Sequence, residues 1–252
     1  MIVDRETKKI IIISPHFDDA ILSCGGLICK MIKLGKYVEI CNVFTRIEVN
    51  KDHFSEVIKE YIAEDMNEDA QNVDVRLCEK WIRLRKKEDN RASSFLECNK
   101  RDLGYIDAIF RTRLNQYIYD TEEKLFSMVG QKDEEHLVKN VAYTIEAICK
   151  DFDKCIFPMA VGNHVDHYIL YQIGLEIQKK NNNVFFYGEI PYCINFQSEN
   201  EELIANKMVI TELFGLKLKA IGFYETQLRG LFGDKYSVSK VIPNYEIYYK
   251  HN

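Results

Sequence analysis

The run Ile10-Ile11-Ile12-Ile13-Ser14, closed by Pro15, constrains the fold more than any other stretch of the chain. Four β-branched residues with no polar position between them suit a strand covered on both faces, as in a buried parallel sheet. Proline cannot continue a central ladder, so the strand ends there. Helical spacing follows from Asp19 to about Leu34, with Ile21, Leu22, Leu27, Ile28, Met31 and Ile32 apolar, and Tyr37–Thr45 reads as a second strand. A β-α-β start of this kind opens a doubly wound sheet. Gly25-Gly26 would weaken the helix; close packing of the helix against the sheet would account for it.

The remaining pattern continues the alternation. Phe54, Val57, Ile58, Tyr61 and Ile62 predict an amphipathic helix, followed by an exposed polar loop over Glu64–Asp74. Trp81 to about Asn99 predicts a helix. Asp120 and Glu123 have N-cap and N3 spacing for a helix through Val129, and Leu137, Val138, Val141, Ile145 and Ile148 mark another. Cys155–Phe157 is a short strand ended by Pro158, with a helix from about Val165 to Lys179 behind it. Val184–Tyr187 is the next strand, Thr211 to Leu231 is broadly helical, and the tyrosine-rich tail Tyr236–Tyr249 is β-prone, suited to a sheet edge or an interface. With no repeat or linker, residues 1–252 are expected to form one domain. The expected fold is α/β: a Rossmann-like, mostly parallel sheet flanked by helices on both faces.

At 252 residues, with 46% hydrophobic and 29% charged, the chain can bury a core without disulfide staples. None of its eight cysteines has C-x-x-C spacing and most sit in apolar runs, which points to a reducing compartment. The first apolar run is too short for a signal sequence or a membrane span. The expectation is a cytoplasmic protein with no membrane anchor. A net charge of −5 argues against a dedicated nucleic-acid partner. A homo-oligomer is compatible with the sequence.

Three of the four prolines, Pro15, Pro158 and Pro191, fall at predicted strand C-termini, where open α/β sheets bind their ligands. Two histidine clusters lie just beyond such ends. In Pro15-His16-Phe17-Asp18-Asp19, His16 and Asp19 are three apart and can face one point in a tight turn, as an imidazole and a carboxylate on zinc would. Asp18, between them, points elsewhere and is a candidate base. The helix N-terminus favours ionised carboxylates there. A lone Asp-Asp at a helix start is more often an N-cap. In His164-Val165-Asp166-His167, one imidazole can bind metal while the other faces a reacting carbonyl, with Asp166 orienting one ring. Solvated histidines are the plainer reading of that cluster alone. Two clusters at two strand-to-helix turns favour a three-ligand metal site with an open position, hence metal-assisted hydrolysis. Arg46, Arg85 and Arg111 are candidates for gripping substrate, although ion-paired or solvated arginine suits Arg46 and Arg111 equally. His53, His136 and His251 are expected at the surface.

These residues carry a family resemblance. Pro15-His16-Phe17-Asp18-Asp19 through Cys24-Gly25-Gly26, with His164-Val165-Asp166-His167, resembles the PIG-L/LmbE family of N-acetylglucosaminyl deacetylases. Arg85, Glu88, Asp89 and Ala92 resemble its Arg-x-x-Glu-Asp-x-x-Ala helix. Tyr187-Gly188-Glu189-Ile190-Pro191-Tyr192 resembles a Tyr-Glu-Asp-x-Pro-Tyr segment, and Lys219-Ala220 with Tyr224, Thr226 and Gln227 a late element. Phe17 and Ala20 depart from the commonest pattern, and Arg46 to Lys80 matches nothing in it. The resemblance implies His16, Asp19 and His167 as ligands of one Zn2+ per chain, with Fe2+ as a substitute. It implies Asp18 as general base, and His164 as oxyanion stabiliser or acid, in protonated form, supported by Asp166. Arg85 would contact substrate, and Tyr192 suits either the pocket lining in contact with substrate or plain packing as an amphipathic aromatic. The implied activity is removal of an N-acetyl group from an amino-sugar-containing small molecule or natural-product intermediate. A zinc amidase acting on a longer acyl group, or a non-catalytic Rossmann-like ligand-binding protein, remains compatible with the residues alone.

Overall fold

Alternation along the first strand decides how the layers assemble. The computed structural model describes residues 2–49, 53–128, 134–195, 203–233 and 238–251. β1 (Lys9–Ser14) pairs in parallel with β2 (Tyr37–Arg46) on one side and with β6 (Lys154–Pro158) on the other. Ile10 and Ile12 point to one face of the sheet, and Ile11 and Ile13 to the other. The first face is covered by α1 (Asp19–Lys33) and α7 (Phe214–Ile221), the second by α5 (Glu135–Cys149) and α6 (Val165–Gln178). All four isoleucines are at most 1% exposed, so the continuous apolar run is spent on two cores.

The full sheet has seven strands. β3 (Asn99–Ile106) lies beyond β2, and β7 (Val184–Tyr187) beyond β6, all parallel. β9 (Tyr245–His251) and β8 (Leu203–Val209) close that side antiparallel, in the order β3-β2-β1-β6-β7-β9-β8. The mostly parallel α/β sheet with helices on both faces is the one the sequence predicts. A small hairpin, β4 (Thr112–Arg113) with β5 (Gln116–Tyr117), stands apart.

Several local expectations are corrected. The first part of Glu64–Asp74 is helical: α2 (Glu56–Met66) runs on until Asn67 turns left-handed, so Glu64 and Asp65 sit on its last turn. α3 (Val75–Phe95) starts six residues before Trp81, because Asp74 caps it by accepting from Leu77 N–H at 2.8 Å. Thr121, not Asp120, caps α4 (Glu122–Leu125), which stops at Leu125; Asp120 pairs with Lys124 instead. Val129 lies outside the described residues. Thr211–Leu231 splits into α7 and α8 (Glu225–Phe232) at Gly222-Phe223-Tyr224. The tail contains a helical turn, α9 (Val238–Val241), before β9, and Tyr236 lies outside the described residues.

The glycine pair in α1 lets the helix pack closely on β9 of the sheet, as expected, and on α7 as well. A Cβ on Gly26 would stand 2.6 Å from Ile210 and 3.0 Å from Glu246. The missing side chain lets the Glu246 carboxylate reach the Gly26 and Leu27 N–H groups, where it also pairs with the fully buried Lys217. All eight cysteines are free. Among the described residues no helix is long and apolar enough to cross a membrane.

Candidate active site

Both histidine clusters leave the sheet at one crevice. From β1 the chain passes to β2 and β3 on one side and later returns to β6 and β7 on the other, so the crevice opens beyond the carboxyl ends of β1 and β6. In the turn after β1, the Ser14 hydroxyl donates to the His16 carbonyl at 2.6 Å and accepts from Ala20 N–H at 3.0 Å. Ser14 therefore ties the helix start. Asp18 occupies the N-cap position of α1 but makes no side-chain cap. Its carboxylate turns into the crevice instead, where Oδ1 accepts from Arg85 at 3.1 Å.

Asp19 Oδ2 lies 3.3 Å from His16 Nδ1 and 3.5 Å from His167 Nε2. Donor atoms about 2.0–2.1 Å from a tetrahedral ion stand about 3.3–3.4 Å apart. The donor set and its spacing fit a metal ion, and the three ligand atoms lie within 4.8 Å of one another. The nitrogens facing away are each held by a carboxylate: His16 Nε2 by Asp166 at 3.2 Å and His167 Nδ1 by Glu189 at 3.2 Å. That arrangement fixes the tautomer and angle of a metal-binding ring. His16, His164 and Asp166 are also within reach of one another. That set suits an ion less well, because Arg111 and the Ala108 N–H already engage the Asp166 carboxylate.

Electrostatics agree with a cation at the first set. Burial alone would depress His16, but Asp107, Asp166 and Asp19 outweigh it and raise its pKa well above 6.5. Against the same burial, Asp19 and Glu189 raise His167. Asp19 is held below the usual carboxylate range, against burial, by His167 and His16. Asp18 goes the other way. Burial and the Asp19 charge raise its pKa, over the opposition of Arg85 and His16.

Two sequence expectations change here. The Asp166 carboxylate crosses the crevice to bond His16, Arg111 and Ala108, and its charge acts on the His164 ring without a hydrogen bond to it. The backbone N–H of Asp166 makes the hydrogen bond, donating to His164 Nδ1 at 3.2 Å. His164 is the N-cap of α6, and accepting at Nδ1 leaves its proton on Nε2. Burial and the adjacent His16 push its pKa well below 6.5, which favours the neutral ring over the protonated one expected.

Arg85 and Tyr192 line the same cavity of about 340 Å³ as His16, Asp18, Asp19, His164 and His167. Tyr192 is 42% exposed and packs its ring where a Gly162 side chain would be. Arg111 is buried and paired with Glu134 and Asp166, and exposed Arg46 pairs with Glu48, so neither faces the cavity. His53 and His136 are exposed, whereas His251 is half-buried, 3.1 Å from the Tyr171 hydroxyl.

The two weaker sequence elements meet in space. Tyr224 donates to Asp89 at 2.8 Å, Thr226 donates to Glu88 through both N–H and hydroxyl, and Gln227 donates to Asp65 at 2.6 Å. These bonds fix α3, and with it Arg85, against α8. Sequence reasoning missed Glu189, Asp107 and Asp65 as members of the site. Glu189 had a signal, since it follows β7 as His16 follows β1. Asp107 follows β3, an edge strand whose run Asn99-Lys100-Arg101-Asp102 hides its strand character.

A model of the PIG-L family, described as GlcNAc-PI de-N-acetylase, matches residues 11–178, which contain both histidine turns. The 2'-N-acetylparomamine deacetylase of Niallia circulans is 29% identical over 243 residues, covering 92% of this chain and 86% of that protein. A deacetylase of the teicoplanin biosynthesis pathway, solved as its bog complex, superposes with a TM-score of 0.74 at 21% identity over 96% of both chains. The zinc-inhibited form of a teicoplanin deacetylase gives 0.73 at 20% identity, over 96% of this chain and 97% of that one. Those two likenesses show the fold. The family match spans well over half of the sequence, and this chain belongs to the PIG-L family, GlcNAc-PI de-N-acetylase.

Proposed function

We propose that this N-deacetylase holds one zinc ion on His16, Asp19 and His167 and hydrolyses an N-acetyl group on an amino-sugar-containing small molecule or natural-product intermediate. It would act as a single domain in the cytoplasm. The observation that carries the reading is Asp19 Oδ2 placed 3.3 and 3.5 Å from two imidazole nitrogens whose far sides are held by carboxylates. The names of the relatives support the substrate class: one is a deacetylase of 2'-N-acetylparomamine, others belong to teicoplanin biosynthesis.

Zinc, when bound, acidifies water towards neutral pH and polarises a carbonyl. The chain's own residues do the rest. Asp18 takes the proton from the attacking water, with the raised basicity that burial gives it and the orientation that Arg85 gives it. The same proton is available for the departing amine. His164 donates from Nε2 to the developing oxyanion, an interaction that strengthens only as charge appears there. Asp166 and Glu189 hold the His16 and His167 rings. Tyr192, half exposed at the mouth, offers an aromatic face to a sugar.

The direct test is metal analysis of the purified protein, with acetate release from 2'-N-acetylparomamine and simpler N-acetyl amino sugars. Metal is expected near one equivalent, as zinc or, from iron-rich medium, as Fe2+. A metal-loaded protein that releases acetate from none of them would refute the proposal.

A further inference from the structure

The two edges of the sheet are finished differently. β3, at one edge, carries Lys100, Arg101 and Asp102, and its register with β2 shifts twice. Charge and irregularity of that kind keep a sheet edge from pairing with another chain. β8, at the other edge, reads Leu203-Ile204-Ala205-Asn206-Lys207-Met208-Val209, and among the described residues no strand lies beyond it. Five of its seven residues are apolar, as in a buried strand. Yet Ile204 is 48% exposed and Val209 65%, and Ala205, Asn206 and Lys207 between them are exposed too. Its seven pairs with β9 run without a shift. Its one charged group, the Lys207 ammonium, lies over the Tyr245 ring of β9, 3.6 Å from the centroid. An apolar, unbroken edge of this kind is a template for pairing.

The hydrogen bonds of the sheet decide which backbone groups of β8 face outward. Ile247 opposes Lys207, but its carbonyl accepts from Gly188 N–H after β7, so its backbone is turned away from β8. Just past the strand, Ile210 N–H donates to the Asn244 carbonyl. Bonding alternates along an antiparallel pair. Ile204, Asn206 and Met208 therefore bond to β9, while Leu203, Ala205, Lys207 and Val209 turn their N–H and C=O groups to the open side.

We propose that β8 pairs antiparallel with β8 of a second copy of this chain, about a two-fold axis through Asn206, so that the two sheets become one. Alternation requires outward residues to face outward residues, and the side chains choose among the registers that remain. Centred on Asn206, Leu203 faces Val209 of the second copy and Ala205 faces Lys207, with Ile204 opposite Met208 between them. Every outward backbone group of β8 is then paired, and no charge meets its like. Centring on Lys207 would set the two lysines directly opposite each other, which is unfavourable. Centring on Ala205 would leave Val209 without a partner in β8. The interface is narrow, at the low end of specific contacts, so the dimer should dissociate on dilution. No β8 residue lines the catalytic cavity, so the pairing is independent of the deacetylase chemistry.

Sedimentation velocity of the full chain tests the pairing. Monomer should give way to dimer between about 1 μM and 1 mM, the range expected of a weak interface. Two substitutions at one exposed position read the register. Ala205→Lys opposes lysines on both sides of the axis and should weaken the dimer about three- to tenfold, whereas Ala205→Glu opposes Lys207 twice and should tighten it by as much. A damaged fold cannot shift the two variants in opposite directions. Asn206→Cys should form a disulfide-linked dimer on mild oxidation, because facing residues of a non-bonded antiparallel pair have Cα atoms about 4.5 Å apart. The wild type, whose eight thiols are free and mostly buried, should stay a single chain under the same treatment. A protein that remains monomeric throughout the range would overturn the proposal. So would a dimer that is indifferent to both substitutions at Ala205 and gives no cross-link at position 206, since its interface would lie elsewhere.

Discussion

The two walls of the pocket are made in different ways. The inner wall consists of the turns that leave β1 and β6, and its groups bond to one another: Glu134 to Arg111, Arg111 to Asp166, Asp166 to His16, and Glu189 to His167. The outer wall consists of helix ends, where Asp65 accepts from Trp81 and Gln227 and Glu122 accepts from Tyr61. A buried network satisfied from within holds one geometry, which hydrolytic chemistry needs. A wall of helix ends tied by contacts to neutral donors is set by packing between helices instead. The ends of buried strands fix the chemistry here, while the helix ends laid over them shape the cavity around it.

The largest effects should come from breaking the inner wall at its centre. His167→Ala and His16→Ala should release the metal and abolish turnover, by elemental analysis and acetate assay. Asp18→Asn should keep the metal and lose about two to four orders of magnitude in kcat, the usual contribution of a general base. If Asp18→Asn also came out metal-free, the division between ligand and base at this turn would be wrong.

His164 sharpens the comparison one step down. His164→Ala should keep metal and change KM little, while kcat falls by about 10²–10³, the cost of removing one oxyanion donor. The ring accepts a backbone N–H at Nδ1, and burial with His16 holds its pKa down, so it should contribute no alkaline limb to the pH–rate profile. An alkaline limb that vanishes in the variant would show that His164 works as an acid after all. Asp166→Asn should weaken metal affinity by about 10–100-fold, because it loosens the far nitrogen of His16. Competition with a chelator measures this, and an unchanged affinity would mean that Arg111 and Ala108 hold the turn without the carboxylate on His16.

The inner wall was far more legible in sequence than the outer. A run such as Ile10–Ile13 has one good environment, and Pro15 marks where it stops, so the place of His16, Asp18 and Asp19 follows from burial alone. His164 and His167 were readable for the same reason. The Asp166 contact was not, since its direction depends on Arg111 and Ala108, more than fifty residues away along the chain. β3 was missed because an edge strand can carry Lys100, Arg101 and Asp102 without penalty. Asp65 was read into a loop because polar residues on an exposed helix end carry no period. Its partners, Trp81 and Gln227, come from two other helices.

The smallest effect concerns stability, and it tests what burial does to the outer wall. Asp65 has a folded pKa of about 6, above the usual value of 3.8, with burial the main cause. A group whose pKa is raised on folding stabilises the protein below its unfolded pKa, and that contribution is lost as pH rises through the folded one. The Asp65 contribution to wild-type stability should therefore be lost between about pH 4 and pH 6. Asparagine in its place removes the charge, and because both donors converge on Oδ2, one amide oxygen can accept from both Trp81 and Gln227. Asp65→Asn should match wild type near pH 4 and exceed it at pH 7 by about 1–2 kcal/mol after screening, or about 2–8 °C in Tm for a chain of this size. Subtracting the wild-type curve cancels every other titrating group. A stability gap that stays constant with pH would show that Asp65 carries no displaced titration.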